Sequence, residues 1–261
     1  MTKSLSKKEY EVMAELALKN VKSLTLDEAG RLLDIKKDYL KVIFHRLEKK
    51  KWLERLEKGN YLVVPMEGKY GWSEHPFVIV SRLLKEYFIS YRTALAHHGL
   101  TEQIPRTIYA ATLDRKSKTR TTFQDYTYRF VRIQERKYFG YQAFKIENEK
   151  VAIATVEKAI VDCLDKEQYA GSIIETANAL RRKQVRISLV KRYAARMQNA
   201  SLIRRLGYLL DIMNLNSKDL EKHIGKHRDV YLSLTLPEQE IKRSRKWKLI
   251  INVHDKDLLE W

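Results

Sequence analysis

The chain has 261 residues, 44% of them hydrophobic, with only 9 Gly and 4 Pro, which supplies apolar material for packed cores and excludes a fibrous or disordered polypeptide. Its formal charge of +18 predicts a field that draws polyanions and releases counterions where it meets phosphate, so nucleic acid is the first partner expected. A single cysteine, Cys163, excludes an intramolecular disulfide and a thiol-rich metal site, and MTKSLSKKEYEVMAEL lacks a signal-type apolar core, so a cytoplasmic protein without membrane attachment is expected.

The length predicts two domains. In residues 6–20, Tyr10, Met13, Leu16 and Leu18 lie close to helical spacing, and Asn20 is a tolerable stop. Thr25 precedes Glu28 by three residues, a capping box that opens a second helix with Ala29, Leu32 and Leu33 inward, ending near Asp34-Ile35. KKDYLKVIFHRLEKKKW resumes the period with Leu40, Ile43, Phe44 and Leu47 on one face. WLERLEKGNYLVV then reads as two short strands around Lys58-Gly59-Asn60. Together these predict a winged helix-turn-helix over residues 1–66, a segment with fifteen Lys and Arg against ten Asp and Glu. The outer face of its third helix carries Lys37, Asp38, Lys41 and His45, with Lys36 and Tyr39 near its start. Lys36, Lys37, Tyr39, Lys41 and His45, with Lys58 and Asn60 at the wing, are therefore the candidate contacts to double-stranded DNA.

PMEGKYGWSEHP, residues 65–76, gathers Gly and Pro and is the expected linker to a second domain over 77–261. There FVIVSRLLKEYF reads as a helix, Ser90 as the side-chain cap of the next, and Gly99 as its left-handed stop, with Tyr91, Ala94, Leu95 and His98 on one face. RTIYAATLD and YTYRFVRIQ read as strands forming a paired sheet edge, joined by the polar connector RKSKTRTTFQD. VEKAIVDCLDKE follows Thr155 as a capped helix with Val156, Ile160, Cys163 and Leu164 inward, which makes Cys163 a small core residue. SIIETANALRR and ISLVKRYAARM read as helices, and RKWKLIINVHD as a final strand. The whole is expected to be α+β, a winged helix-turn-helix followed by a mixed α/β domain.

No acidic residue lies between Glu175 and Asp211, a window that holds Arg181, Arg182, Lys183, Arg186, Lys191, Arg192, Arg196, Arg204 and Arg205. The first seven form the candidate secondary surface for nucleic acid, either DNA or RNA. Catalytic patterns are wanting: there is no Walker loop, no GxGxxG after a strand and no GxSxG elbow. His223 and His227 stand i, i+4, but Ile224 replaces the glutamate of a zinc protease, and the adjacent His97 and His98 point roughly 100° apart on a helix. Gly171-Ser172 leads only to Glu175, and a nuclease built from Glu157, Asp162 and Asp165 lacks convincing geometry. Neither an enzyme nor a cofactor or metal is expected.

ISYRTALAHHGLTEQIPRTIYAAT, FVRIQERKYFGYQ and VAIATVEKAIVDCLDKEQYAGSIIETANAL, behind that amino-terminal segment, resemble the AbiEi family of transcriptional-regulator antitoxins from type IV toxin–antitoxin systems. The family's blocks fall on Ser90, Tyr91, Ala94, Leu95, Gly99 and Leu100, and on Glu157, Lys158, Asp162 and Gly171. The resemblance implies an amino-terminal domain that represses its own operon through inverted repeats. It further implies a carboxy-terminal domain that counters a nucleotidyltransferase-like toxin without stable binding and whose positive residues assist DNA binding. Two alternatives stay open: a nucleic-acid-processing enzyme delivered by the winged helix, and an RNA-binding antidote acting through residues 181–205.

Overall fold

Ser6 opens the first helix, α1 (Lys7–Leu18), by a reciprocal pair of bonds with Glu9 that satisfies two orphan amides. The computed structural model describes residues 4–65, 72–103, 105–116, 118–225 and 228–260; part of the expected linker, at 66–71, and His227 lie outside them. Two compact units divide the chain, Met1–His75 and Pro76–Trp261. The architecture is mixed α+β.

In the first unit α1 is followed by β1 (Ser23–Thr25), α2 (Leu26–Leu33), α3 (Lys37–Lys49), β2 (Leu53–Glu57) and β3 (Asn60–Val63), and β3 lies between β1 and β2, antiparallel to both. One core unites these elements: Val12, Met13 and Leu16 of α1, Ala29 of α2, Leu40, Ile43, Phe44 and Leu47 of α3, and Leu53 and Tyr61 of the sheet. Leu32 and Leu33 pack at its margin. The spacing misassigned two residues of α1, because Tyr10 is 58% and Leu18 81% exposed while Val12 turns inward. Val12, Met13 and Leu16 stand at i, i+1 and i+4, one apolar stripe of a 3.6-residue helix, and Tyr10 and Leu18 fall outside it.

The second unit is built on a six-stranded sheet. Its strands are β4 (Tyr87–Ile89), β5 (Thr107–Thr112), β6 (Arg120–Phe123), β7 (Tyr126–Arg132), β8 (Tyr141–Ile146) and β9 (Glu149–Ala154), ordered β6-β7-β5-β4-β9-β8. Two expectations fail here. FVIVSRLLKEYF is helical only over α4 (Pro76–Leu83), because the amides of Lys85 and Glu86 turn to the Asp114 carboxylate and Tyr87-Phe88-Ile89 enters the sheet between β5 and β9. A central strand position outweighs the helical continuation of the sequence. The connector RKSKTRTTFQD contains β6, antiparallel to β7, so β5 and β7 are interior strands and not an edge.

Helix α5 (Tyr91–His97) ends in a Schellman motif, with Leu100 N bonding Leu95 O, Gly99 N bonding Ala96 O, and Gly99 at φ +67. Next come α6 (Val156–Asp165), α7 (Ile173–Leu180), α8 (Ile187–Met197) and α9 (Ala200–Ile212). Helix α6 is enclosed by the other four, α5, α7, α8 and α9, so every residue from Glu157 to Leu164 is buried, Cys163 among them. Burial pushes the Cys163 thiol well above its ordinary pKa, which suits a core residue and not a nucleophile.

A small sheet of β10 (Val230–Tyr231), β11 (Lys242–Ser244) and β12 (Leu249–Ile251), followed by α10 (Asp255–Leu259), completes the unit. It is keyed to α9 at Gly207, where a Cβ would come within 2.3 Å of the Trp247 ring. That ring is held by its Nε1–H, which donates to Asp211 Oδ2 at 2.6 Å, so it cannot withdraw freely. Gly207→Ala is expected to cost about 1–3 kcal/mol of stability in guanidinium denaturation, overpacking outweighing the better helix propensity of alanine. Among the described residues no helix is long and apolar enough to cross a membrane.

Candidate nucleic-acid interface

Helix α2, which leads into α3, opens on a capping box. Thr25 accepts from Glu28 N at 3.2 Å and gives its own amide to Glu28 Oε2 at 2.7 Å. Helix α2 then ends with Asp34 in the left-handed region, φ 49, and three residues later α3 begins. With Leu40, Ile43, Phe44 and Leu47 buried, the helical period turns Lys37, Asp38, Tyr39, Lys41, Val42 and His45 outward. Lys36 is exposed at the N-cap position and makes no side-chain cap bond. Tyr39 and Val42, about half exposed, add aromatic and aliphatic surface to this polar face.

Two of the lysines already hold carboxylates: Lys37 Nζ lies 2.6 Å from Asp27 Oδ1, and Lys41 Nζ lies 2.7 Å from Asp38 Oδ1. Their hydrogen bonds and charge hold Asp27 and Asp38 below the usual carboxylate range. Both pairs sit in water and contribute little to stability, so an arriving phosphate can replace the carboxylate. At the hairpin, Lys58 is exposed and Gly59 takes φ +79. Asn60 is half-buried inside the sheet, paired with Thr25 and Glu57, so the tip is Lys58-Gly59 rather than the expected three residues.

In the second unit the acid-free window separates into two kinds of cation. Arg181, Lys183, Arg186, Arg192 and Arg196 are exposed, and Arg182 and Lys191 half-buried. Some of this charge is locally balanced: Arg186 Nε lies 2.7 Å from Glu157 Oε1, and Lys191 Nζ lies 2.8 Å from Asp219 Oδ1. Burial raises Glu157, but the hydrogen bond and charge of Arg186, together with backbone hydrogen bonds, outweigh it and hold the carboxyl below its ordinary value. Arg196 lies over the Phe139 ring, 4.0 Å from its centroid.

Arg204 and Arg205, which fall within the 181–205 stretch of the RNA-binding alternative, are core residues. Arg204 donates to the carbonyls of Ile224 and Arg228, and Arg205 to those of Leu232, Tyr231 and Leu164. Burial lowers the pKa of both guanidiniums from a value high enough that they keep their charge, and the carbonyl dipoles solvate it. Arg205→Leu is expected to cost about 2–3 kcal/mol in chemical denaturation, since three carbonyls lose a charged donor.

Ser90 also departs from expectation. It stands at the N-cap of α5 but makes no side-chain cap bond; its hydroxyl donates to Asp162 Oδ2 at 2.6 Å. The other oxygen of Asp162 receives the ammonium of Lys158, which is fully buried between the rings of Phe88 and Phe139, each centroid 5.0 Å away. Burial pushes Asp162 up and Lys158 down from their ordinary values, and each opposes the other's shift. Tyr91, also buried, takes φ 57 directly after Ser90, an uncommon conformation for a bulky residue that redirects the chain between β4 and α5.

The remaining acids and histidines do not converge. Glu157 meets Arg186, Asp162 meets Lys158 and Ser90, and Asp165 meets Lys137 and Asn199. Among the described residues no group of three His, Cys, Asp or Glu side chains is arranged to hold a metal ion. His98 Nε2 lies 2.7 Å from Ala154 O, His97 packs against the rings of Phe77 and Phe144, and the two imidazoles stand 71° apart. His223 belongs to a 3-10 turn, Lys218–His223, which removes the α-helical basis for pairing it with residue 227. Ser172 accepts from Glu175 N at 3.1 Å and so caps α7, while Gly171, at φ +96, makes the turn before it. No protein-family model matches the chain, and no curated protein matches it in sequence.

Proposed function

We propose that this protein is a sequence-specific DNA-binding repressor in which residues 1–66 form a winged helix-turn-helix, α3 enters the major groove and the Lys58-Gly59 tip meets the adjacent backbone. The observation that carries the reading is the sidedness of α3: Leu40, Ile43, Phe44 and Leu47 hold it in the core, while Lys36, Lys37, Tyr39, Lys41 and His45 face solvent. The three-residue connection to α2 and the hairpin behind α3 support the same assignment. The exposed members of the window, Arg181, Lys183, Arg186, Arg192 and Arg196, with Arg182 and Lys191 beside them, supply a secondary nucleic-acid surface. The resemblance to AbiEi antitoxins extends the reading: the operator is an inverted repeat in the protein's own promoter, and the second unit counters a nucleotidyltransferase-like toxin.

A mobility-shift assay on the DNA upstream of its own gene, at physiological salt, tests the repressor. The expected result is a discrete complex displaced by the same unlabelled DNA and not by a random duplex. Failure to form it removes the repressor reading. Co-expression with a neighbouring nucleotidyltransferase-like gene tests the antidote separately, relief of growth arrest being expected.

A further inference from the structure

Between the turn after β7 and the start of α9 lies a cavity of about 530 Å³ that the proposed DNA contacts leave unused. Four of its lining side chains are cations, Arg132, Arg136, Lys137 and Lys166, and none of its described lining residues is acidic. Lys137 is neutralised, since its Nζ lies 2.8 and 2.7 Å from the two oxygens of Asp165. The other three have no carboxylate partner among the described residues.

Arg136 is also fixed in place. Its Nε donates to Gln134 Oε1 at 2.8 Å, and its Nη1 donates to Met197 O at 2.8 Å and Gln198 Oε1 at 3.0 Å. All three acceptors are neutral, so the guanidinium is oriented while its charge stays uncompensated, and Nη2 has no partner among the described residues. A fixed guanidinium with donors to spare is the arrangement that recognises a phosphate or carboxylate at least entropic cost. The amino terminus of α9 is not itself the anion site, because Asn199 Oδ1 already accepts from the amides of Ser201 and Leu202. It does leave Ser201 on the cavity wall and puts no acid in the first turn of the helix.

Arg132, Ile133 and Gln134 also line a second recess of about 730 Å³, completed by Glu86, Leu113 and Glu135. The two recesses share Arg132, Ile133 and Gln134, so their combined lining holds the cations, the apolar Ile133 and Leu113, and two carboxylates, Glu86 and Glu135. Carboxylates there accept hydrogen bonds from ribose hydroxyls or base amino groups, as they do where proteins read a ribose. We infer that this groove binds a nucleoside 5′-phosphate, with the phosphate against Arg132, Arg136 and Lys166 and the nucleoside over Ile133 and Leu113 toward Glu86 and Glu135. The ligand's phosphate comes either from a free nucleotide or from the 5′ end of a strand. The inference is independent of the operator-binding reading.

Calorimetric titration of the full chain with adenosine and uridine 5′-monophosphates, inorganic phosphate and adenosine tests it. Saturable binding of a monophosphate is expected, with phosphate weaker and adenosine silent. A variant combining Arg132→Gln, Arg136→Gln and Lys166→Gln should bind at least about tenfold more weakly. Ser201→Glu, which puts a carboxylate on the cavity wall at a position that favours the helix, should give the same loss. Lys145→Gln with Lys150→Gln removes exposed charge elsewhere and should change nothing. A 5′-phosphorylated hexanucleotide that outbinds both its 5′-hydroxyl form and the monophosphate identifies a strand end, and the reverse order a free nucleotide. No saturable binding to any phosphorylated probe overturns the inference. Equal weakening in the Lys145 and Lys150 control overturns the inference in favour of overall charge, and phosphate binding as tightly as the nucleotides overturns the nucleoside assignment.

Discussion

Asp162→Ala is expected to lower folding stability by about 3–5 kcal/mol, among the largest single-residue effects in the second unit, because it strands the Lys158 ammonium in the core. Lys158 is enclosed by Phe88 and Phe139, and Asp162 is its one carboxylate contact among the described residues. Without that carboxylate the folded lysine gives up its proton, and its pKa falls further below the unfolded value. The unfolded chain then binds the extra proton, so the stability of the variant should rise with pH from 7 toward 10, where the unfolded lysine also begins to lose its charge. Urea denaturation at both ends of that range measures it. Replacing both partners, Lys158→Met with Asp162→Leu, should recover most of the loss, whereas Asp162→Ala within 1 kcal/mol of the wild type would show that the pair does not hold the core. Ser90→Ala should cost about 1 kcal/mol, the hydroxyl being a neutral donor to an acceptor that keeps its lysine.

That cluster was only partly legible in the sequence. The cap at Thr155 and the apolar residues of α6 predict a helix with one buried face, yet four neighbouring helices bury it all round. Its i, i+4 pair, Lys158 and Asp162, gave no sign of burial, since such a pair looks the same on an exposed helix as in a core. Arg204 and Arg205 misled in the same way: net charge counts them with the surface, but Leu202, Ile203, Leu206, Leu209 and Leu210 surround them along α9, the pattern of a helix with no solvent face. By contrast, α2 and α3 were readable because local signals agreed: a capping box, a 3.6-residue period and a hairpin turn at Gly59. Strand β4 was not, because its six neighbouring apolar residues extend a helix equally well and only pairing with β5 and β9 decides the matter. The cationic groove draws on β5, β7, α6 and α9 and the turns next to them, a convergence no linear spacing reports.

On the proposed repressor reading, Lys37→Ala combined with Lys41→Ala is expected to weaken operator binding by about a hundredfold at physiological salt, the loss of two contacts from α3. If both reach phosphate, the slope of log affinity against log salt should fall by roughly 1.8, a fall that a merely structural role would not produce. The pairs with Asp27 and Asp38 make a sharper test available. Were Lys41 there only for its bridge, Lys41→Ala and Asp38→Asn would change binding alike, since each abolishes the same pair. If Lys41 reaches the DNA backbone, the two should separate: Lys41→Ala weakens the complex, while Asp38→Asn frees the lysine, removes a negative charge facing phosphate and tightens it. Tyr39→Phe isolates the remaining contact, because it keeps the ring that stands 52% exposed and removes only the hydroxyl. A loss confined to the operator assigns that hydroxyl to a site-specific position, and an equal loss on random duplex assigns it to a phosphate. Such a separation fixes the orientation of α3 on the duplex from binding data alone, with Lys41 and Tyr39 as its two reference points.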